Sequence, residues 1–209
     1  MPTLEERAKR SDDMSGTLTK LSGVDFATVA SRATLPPETA APLRGCTEIG
    51  GALDRLEAAG FASEAIRVLA HAIPKREGVW WACMCASSTA PKDLSESDRA
   101  ARETAELWVR QQKDSLRRAA MAYAEAGGFM TPEAWAGIAA FWSGDSTAPL
   151  GKPVEPPLPY MAGTAIAAAV SLAAVRGDGK RHAARLKRFL ESGRDIAAGG
   201  VGRIPPETA

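Results

Sequence analysis

Histidine occurs twice and cysteine three times among 209 residues, so metal and thiol chemistry have few places to reside. A helical zinc site needs a second ligand three or four residues after the first, and neither His71 nor His182 is followed by one. Cys83 and Cys85 form a C-x-C, but on a helix that spacing turns the thiols about 200° apart, which prevents them from holding one ion. They read as small buried hydrophobes, and no metal or other cofactor is expected. Cys46 makes the number odd, and the first 16 residues put no apolar stretch behind their charges. Both features fit a reducing, cytoplasmic setting.

Charge of one sign is lacking too. The 26 Lys and Arg are matched by 25 Asp and Glu, a formal net charge of +1, so no global pull toward nucleic acid or a membrane surface is written into the chain. Val and Ile together number 16 against 41 Ala, a balance that excludes a sheet-rich fold and favours helices. The longest uncharged stretch, residues 156–175, is rich in Ala, Gly and Ser and opens on the helix-breaking PPLP, so it predicts a buried helix rather than a membrane span. G-x-S-x-G, P-loop, G-x-G-x-x-G, H-E-x-x-H and EF-hand patterns are all missing, and no residue is singled out as catalytic. His71, four residues after Arg67, reads as a partly exposed histidine in the last turn of a helix.

What is present is 45% apolar residue in a chain long enough for a continuous core. The spacing predicts a short helix near residues 26–33, a stripe of Ile49, Leu53 and Leu56 ending at Gly60, and a face of Ile66, Leu69 and Ile73. Pro74 then opens a helix over 74–87 that is apolar nearly all round from Val79 to Ala86. Ser95 with Asp98 resembles a capping box, and Leu116, Ala119, Ala120 and Tyr123 repeat at helical spacing. Thr131, Pro132 and Glu133 spell the start of a helix through Trp142, and two more helices cover about 161–175 and 180–197.

The resulting expectation is an all-α array or bundle of about eight to ten helices in antiparallel hairpins around the 74–87 helix. Its parts are a weakly patterned segment 1–45, a helical core 46–144, a proline-rich connection 145–159, a C-terminal hairpin 160–198 packed on the core, and a flexible tail 199–209. The pentapeptide PPETA occurs at 36–40 and again at 205–209 without shared flanks, which argues against a structural repeat.

Eight of the twelve aromatic residues lie between 80 and 142 and mark the core. Trp80 and Trp81 point about 100° apart on a helix, so one fills the core while the other plugs a hairpin or lines a groove. Trp81 is the candidate contact for a partner. The last helix carries the clearest charge feature, with seven basic residues from Arg176 to Arg194 against Asp178 and Glu191. Arg181, Arg185 and Arg188, at i, i+4 and i+7, form a basic outer ridge suited to an acidic protein surface or a phosphate backbone. Its bland alternative is a solvated face balanced by Glu96, Asp98, Glu103 and Glu106.

The run Pro74-Lys-Arg-Glu-Gly-Val-Trp-Trp-Ala-Cys-Met-Cys85, followed by Trp108-Val-Arg110, Thr131-Pro-Glu-Ala-Trp135 and Ala140-Phe-Trp-Ser-Gly144, resembles an uncharacterised family of Ala-rich bacterial helical proteins known as a domain of unknown function. The resemblance spans about residues 60–195, implies a place beside type VI secretion loci, and supplies no catalytic residues. The function expected is therefore a non-enzymatic cytoplasmic interaction protein, an adaptor or chaperone, with a protein partner. The alternatives are a helical enzyme with an unrecognised acid pair, or nucleic-acid binding through the basic last helix.

Overall fold

A computed structural model describes residues 17–207 of the chain. The first 16 residues, on which the expectation of a cytoplasmic setting partly rests, and residues 208–209 lie outside the described residues. Among the described residues there are nine α-helices and no strand: α1 (Phe26–Ala33), α2 (Ile49–Ala58), α3 (Ala62–Ala72), α4 (Lys75–Ser88), α5 (Glu96–Gln111), α6 (Asp114–Ala126), α7 (Pro132–Trp142), α8 (Met161–Val175) and α9 (His182–Ala198). Three 3-10 turns, Thr19–Leu21, Pro37–Ala40 and Gly179–Arg181, punctuate them.

Local chemistry sets several of the boundaries. Asp25 accepts from Thr28 N at 2.8 Å and starts α1; Thr131 accepts from Ala134 N at 3.1 Å and starts α7, with Pro132 in the first position. Ser95 accepts from Asp98 N at 3.1 Å and donates its hydroxyl to Asp98 Oδ2 at 2.7 Å. Asp98 Oδ1 in turn accepts from Thr131 Oγ1 at 2.6 Å, so one carboxylate joins the starts of α5 and α7. The end of α2 is a Schellman turn in which left-handed Gly60 (φ +83°) lets Phe61 N reach Leu56 O at 2.8 Å.

Two expectations shift. Pro74 caps α4 from outside, accepting from Gly78 N through its carbonyl, and Lys75 is the first helical residue. On α6 the buried face is Arg117, Ala120 and Ala124, while Tyr123 stands exposed. Arg117 can occupy the inside because its guanidinium donates to Phe141 O, pairs with Asp114 and lies 5.2 Å from the centre of the Phe141 ring.

The core has two central helices. The tandem-Trp helix α4 packs on α5, α7, α8 and α9, and the Ala-rich α8 packs on α3, α4, α7 and α9. Small residues let them approach closely: an added methyl at Gly78 of α4 would come within 2.5 Å of Ile166 Cδ1 on α8. The uncharged stretch 156–175 is thus a buried helix preceded by its proline loop, and no helix among the described residues is long and apolar enough to cross a membrane. Glu133, fully buried at the start of α7, is held by the guanidinium of Arg176 just past α8, Nη1 donating to Oε1 at 2.9 Å and Nη2 to Oε2. From residue 17 onward the weakly patterned N-terminal segment also joins the core, burying Leu21, Phe26, Val29 and Ala33 with α1 against α3.

Residues 199–207, within the segment 199–209 expected to be a flexible tail, turn back along α9. Gly202 N donates to Asp195 and Ser192 Oγ to Gly202 O, Ile204 is buried, and Glu207 N donates to Ser88 O at the end of α4. The two PPETA copies differ: the first winds into the 3-10 turn Pro37–Ala40 with Thr39 buried, whereas the described part of the second, residues 205–207, forms no helix or strand. Neighbours, not the pentapeptide, select the conformation.

Candidate binding surface

The basic residues of α9 are set by its helical phase. Leu186, Phe189 and Leu190 turn inward and place Arg185 and Arg188 along one edge, with Arg181 in the preceding 3-10 turn. The three converge on one carboxylate. Arg185 grips Glu207 as a fork, Nε to Oε1 at 2.9 Å and Nη2 to Oε2 at 2.7 Å, while Arg188 Nη2 reaches Oε1 at 2.8 Å and Arg181 Nη1 reaches Oε2 at 3.2 Å. Arg185 spends its remaining nitrogen on Ala174 O at 3.3 Å and on Arg176 O, carbonyls left open by the end of α8.

Exposure along the ridge is uneven. The Arg181 side chain is 46% exposed, Arg188 34% and Arg185 only 7%, so the middle member is an interior group rather than part of an outer ridge. The acid that meets the ridge is Glu207, not the helical acids considered from sequence. Glu103 and Glu106 are taken by Arg102, and Asp98 by Ser95 and Thr131. Hydrogen bonds from Arg185, and then from Arg181, hold the Glu207 carboxyl down to about 2, well below its ordinary range, and the same pairing raises Arg185. A basic α9 is also met from upstream by Asp54 and Glu57 of α2, both bound to Arg194.

Trp81 is no contact surface. It is fully buried between α4 and α9, with Nε1 donating to Phe189 O at 2.9 Å, and it needs Gly193, where a methyl would lie 2.8 Å from its Cε2. Trp80, about 100° round the helix, is the half-buried member, and its Nε1 donates to Val201 O at 2.9 Å. Cys83 and Cys85 are buried, and burial pushes both thiols well above their usual range, so they stay protonated. Among the described residues no group of three His, Cys, Asp or Glu is placed to hold a metal ion.

The proline-rich connection 143–160 is the surface feature that sequence reasoning did not resolve. Its base is anchored on α6, since Arg118 Nη1 donates to Ala148 O at 2.8 Å and Arg117 packs where a side chain at Gly144 would go. Its middle is closed across nine residues: Thr147 N donates to Glu155 O at 2.7 Å, and Glu155 N donates to Ser146 Oγ at 3.0 Å. Yet Leu150 and Val154 stand 77% and 74% exposed, with Leu158 and Tyr160 exposed beside them. Two signals in the sequence bear on these findings: Glu207 is the one acid after Asp195, and Pro153, Pro156, Pro157 and Pro159 stiffen the loop.

No curated protein and no solved structure matches the chain. A family model does match, over residues 52–197, from within α2 to the last turn of α9, taking in the tandem-Trp helix, the proline-rich connection and the three arginines. By that match the chain belongs to DUF6931, a family of unknown function.

Proposed function

We propose that the protein is a non-enzymatic interaction protein, an adaptor or chaperone-like accessory of a bacterial secretion system of type VI, acting in the cytoplasm. The observation that carries this reading is the loop at 143–160, whose backbone is held at its base and middle while Leu150 and Val154 project into solvent. Apolar side chains on a held, exposed segment add nothing to their own core and suit a partner's apolar pocket. Four prolines, and the restriction each places on the residue before it, stiffen residues 152–159, so docking would cost little conformational entropy. The secretion setting is supported by the resemblance of the Pro74–Cys85 motif and its companions. Nucleic acid is the weaker reading, because a phosphate backbone on Arg181, Arg185 and Arg188 would have to displace Glu207.

Affinity capture from the native cells, with wild type beside a Leu150→Ser, Val154→Ser, Leu158→Ser triple variant, tests this. The expected outcome is a secretion-apparatus component or cargo retained by wild type and lost by the variant. No retained protein, or the same set on both, overturns it.

A further inference from the structure

A second basic region lies away from α9, where α1, α3 and α8 meet. One turn-by-turn face of α8, made of Thr164, Ala167, Ala168 and Ser171 at i, i+3, i+4 and i+7, forms one wall of a cleft of about 320 Å³. Arg32 and Thr34 at the end of α1, with Arg67 and His71 one turn apart on α3, form the other side. No carboxylate lines the cleft.

The polar groups here are uncommitted to an unusual degree. Arg67 Nη2 donates to Ala33 O and Thr34 O, both at 2.6 Å, which orients the guanidinium across the end of α1 and leaves its other N–H groups without a protein acceptor among the described residues. Arg32 is exposed, and among the described residues no acid pairs with it. Likewise the hydroxyls of Thr164 and Ser171 and the imidazole of His71 make no protein hydrogen bond there. His71 is seated with Nδ1 against Gly163, where a methyl would lie 2.3 Å from that nitrogen.

Two guanidiniums, two hydroxyls and an imidazole, with no acid to neutralise them, make a concave set of donors. We infer that this cleft binds a small phosphate-class oxyanion, with Arg32 and Arg67 supplying charge and the hydroxyls of Thr164 and Ser171 fixing its orientation. The state of His71 agrees with an uncompensated positive field. Burial first, then Arg67 on its own helix and Arg32 from α1, lower it to about 4, and α8 presents it with no charged group. An anion seated beside it would oppose both arginines, so binding and His71 protonation are linked with a fixed sign: phosphate raises the His71 pKa.

The probe is inorganic phosphate, titrated into the full chain at constant ionic strength with chloride as the control and His71 followed by NMR. Saturable shifts and a raised His71 pKa are expected with phosphate and not with chloride. Arg32→Ser and Thr164→Val should each weaken binding by roughly tenfold or more, the worth of one hydrogen bond to a charged group. Arg32 has no structural partner to lose and Val is isosteric with Thr, so both variants keep the fold; Arg67 is left intact because it also caps α1. Equal response to chloride, or phosphate binding unchanged in both variants, would overturn the inference. O-phosphoserine as a second arm separates the source, since tighter binding than inorganic phosphate identifies a phosphomonoester and weaker binding the free ion.

Discussion

A carboxylate among three guanidiniums titrates far below its ordinary range, and Glu207, held down to about 2, carries that displacement into the stability of the chain. Its folded value lies below the unfolded one near 4.5, so the contribution is complete above about 4.5 and is lost as pH falls through about 2. His71 acts in the same direction over a higher window, because a histidine lowered to about 4 costs stability as pH falls from about 6.5. Comparing wild type with Glu207→Gln cancels the histidine, which both share. Melting temperatures measured from about pH 6 down to about pH 2 should converge as the pH falls, wild type being higher at the start. A gap that stays constant would mean that the charge of Glu207 does not hold the tail. At this scale sequence alone fares worst: Arg185 looks exposed by helical spacing and is buried because an acid 22 residues later reaches it.

Between elements, what matters is how closely backbones approach. Gly193 of α9 faces α4 and α3, and a methyl there would lie 2.8 Å from Trp81 Cε2 and 2.7 Å from Leu69 Cδ2. Gly51 of α2 is exposed, and a methyl there meets nothing within 4 Å. The same substitution therefore has opposite signs. Gly193→Ala should destabilise by roughly 1–3 kcal/mol through overpacking, and Gly51→Ala should stabilise by roughly 0.5–1 kcal/mol through helix propensity, both read from urea unfolding midpoints. Matching signs would show that Trp81 has room to move. Helix starts such as Asp25, Ser95 and Thr131 are legible because a cap reaches only three residues ahead. The buried face of α6 is not, because Arg117 is satisfied by Phe141 O, 24 residues away, and so takes a place that periodicity assigns to an apolar side chain.

For the molecule as a whole, the loop at 143–160 separates folding from binding. Leu150, Val154 and Leu158 are exposed, so the triple serine variant that should lose its partner should unfold within about 0.5 kcal/mol of wild type, as judged by urea titration. A larger loss would place these side chains in the folded core and withdraw the loop as a docking element. The sequence by itself determined the helical class, the caps, the C-x-C as a buried pair and the proline stiffness of the loop, since each depends on composition or on residues within a turn of one another. Only the tertiary structure decided that Trp81 is interior and Trp80 half-buried, that Glu133 is held by Arg176, and that the arginines of α9 close on Glu207. Those outcomes join groups 19 to 121 residues apart, and the burial and pairing that favour them exist once the helices have packed.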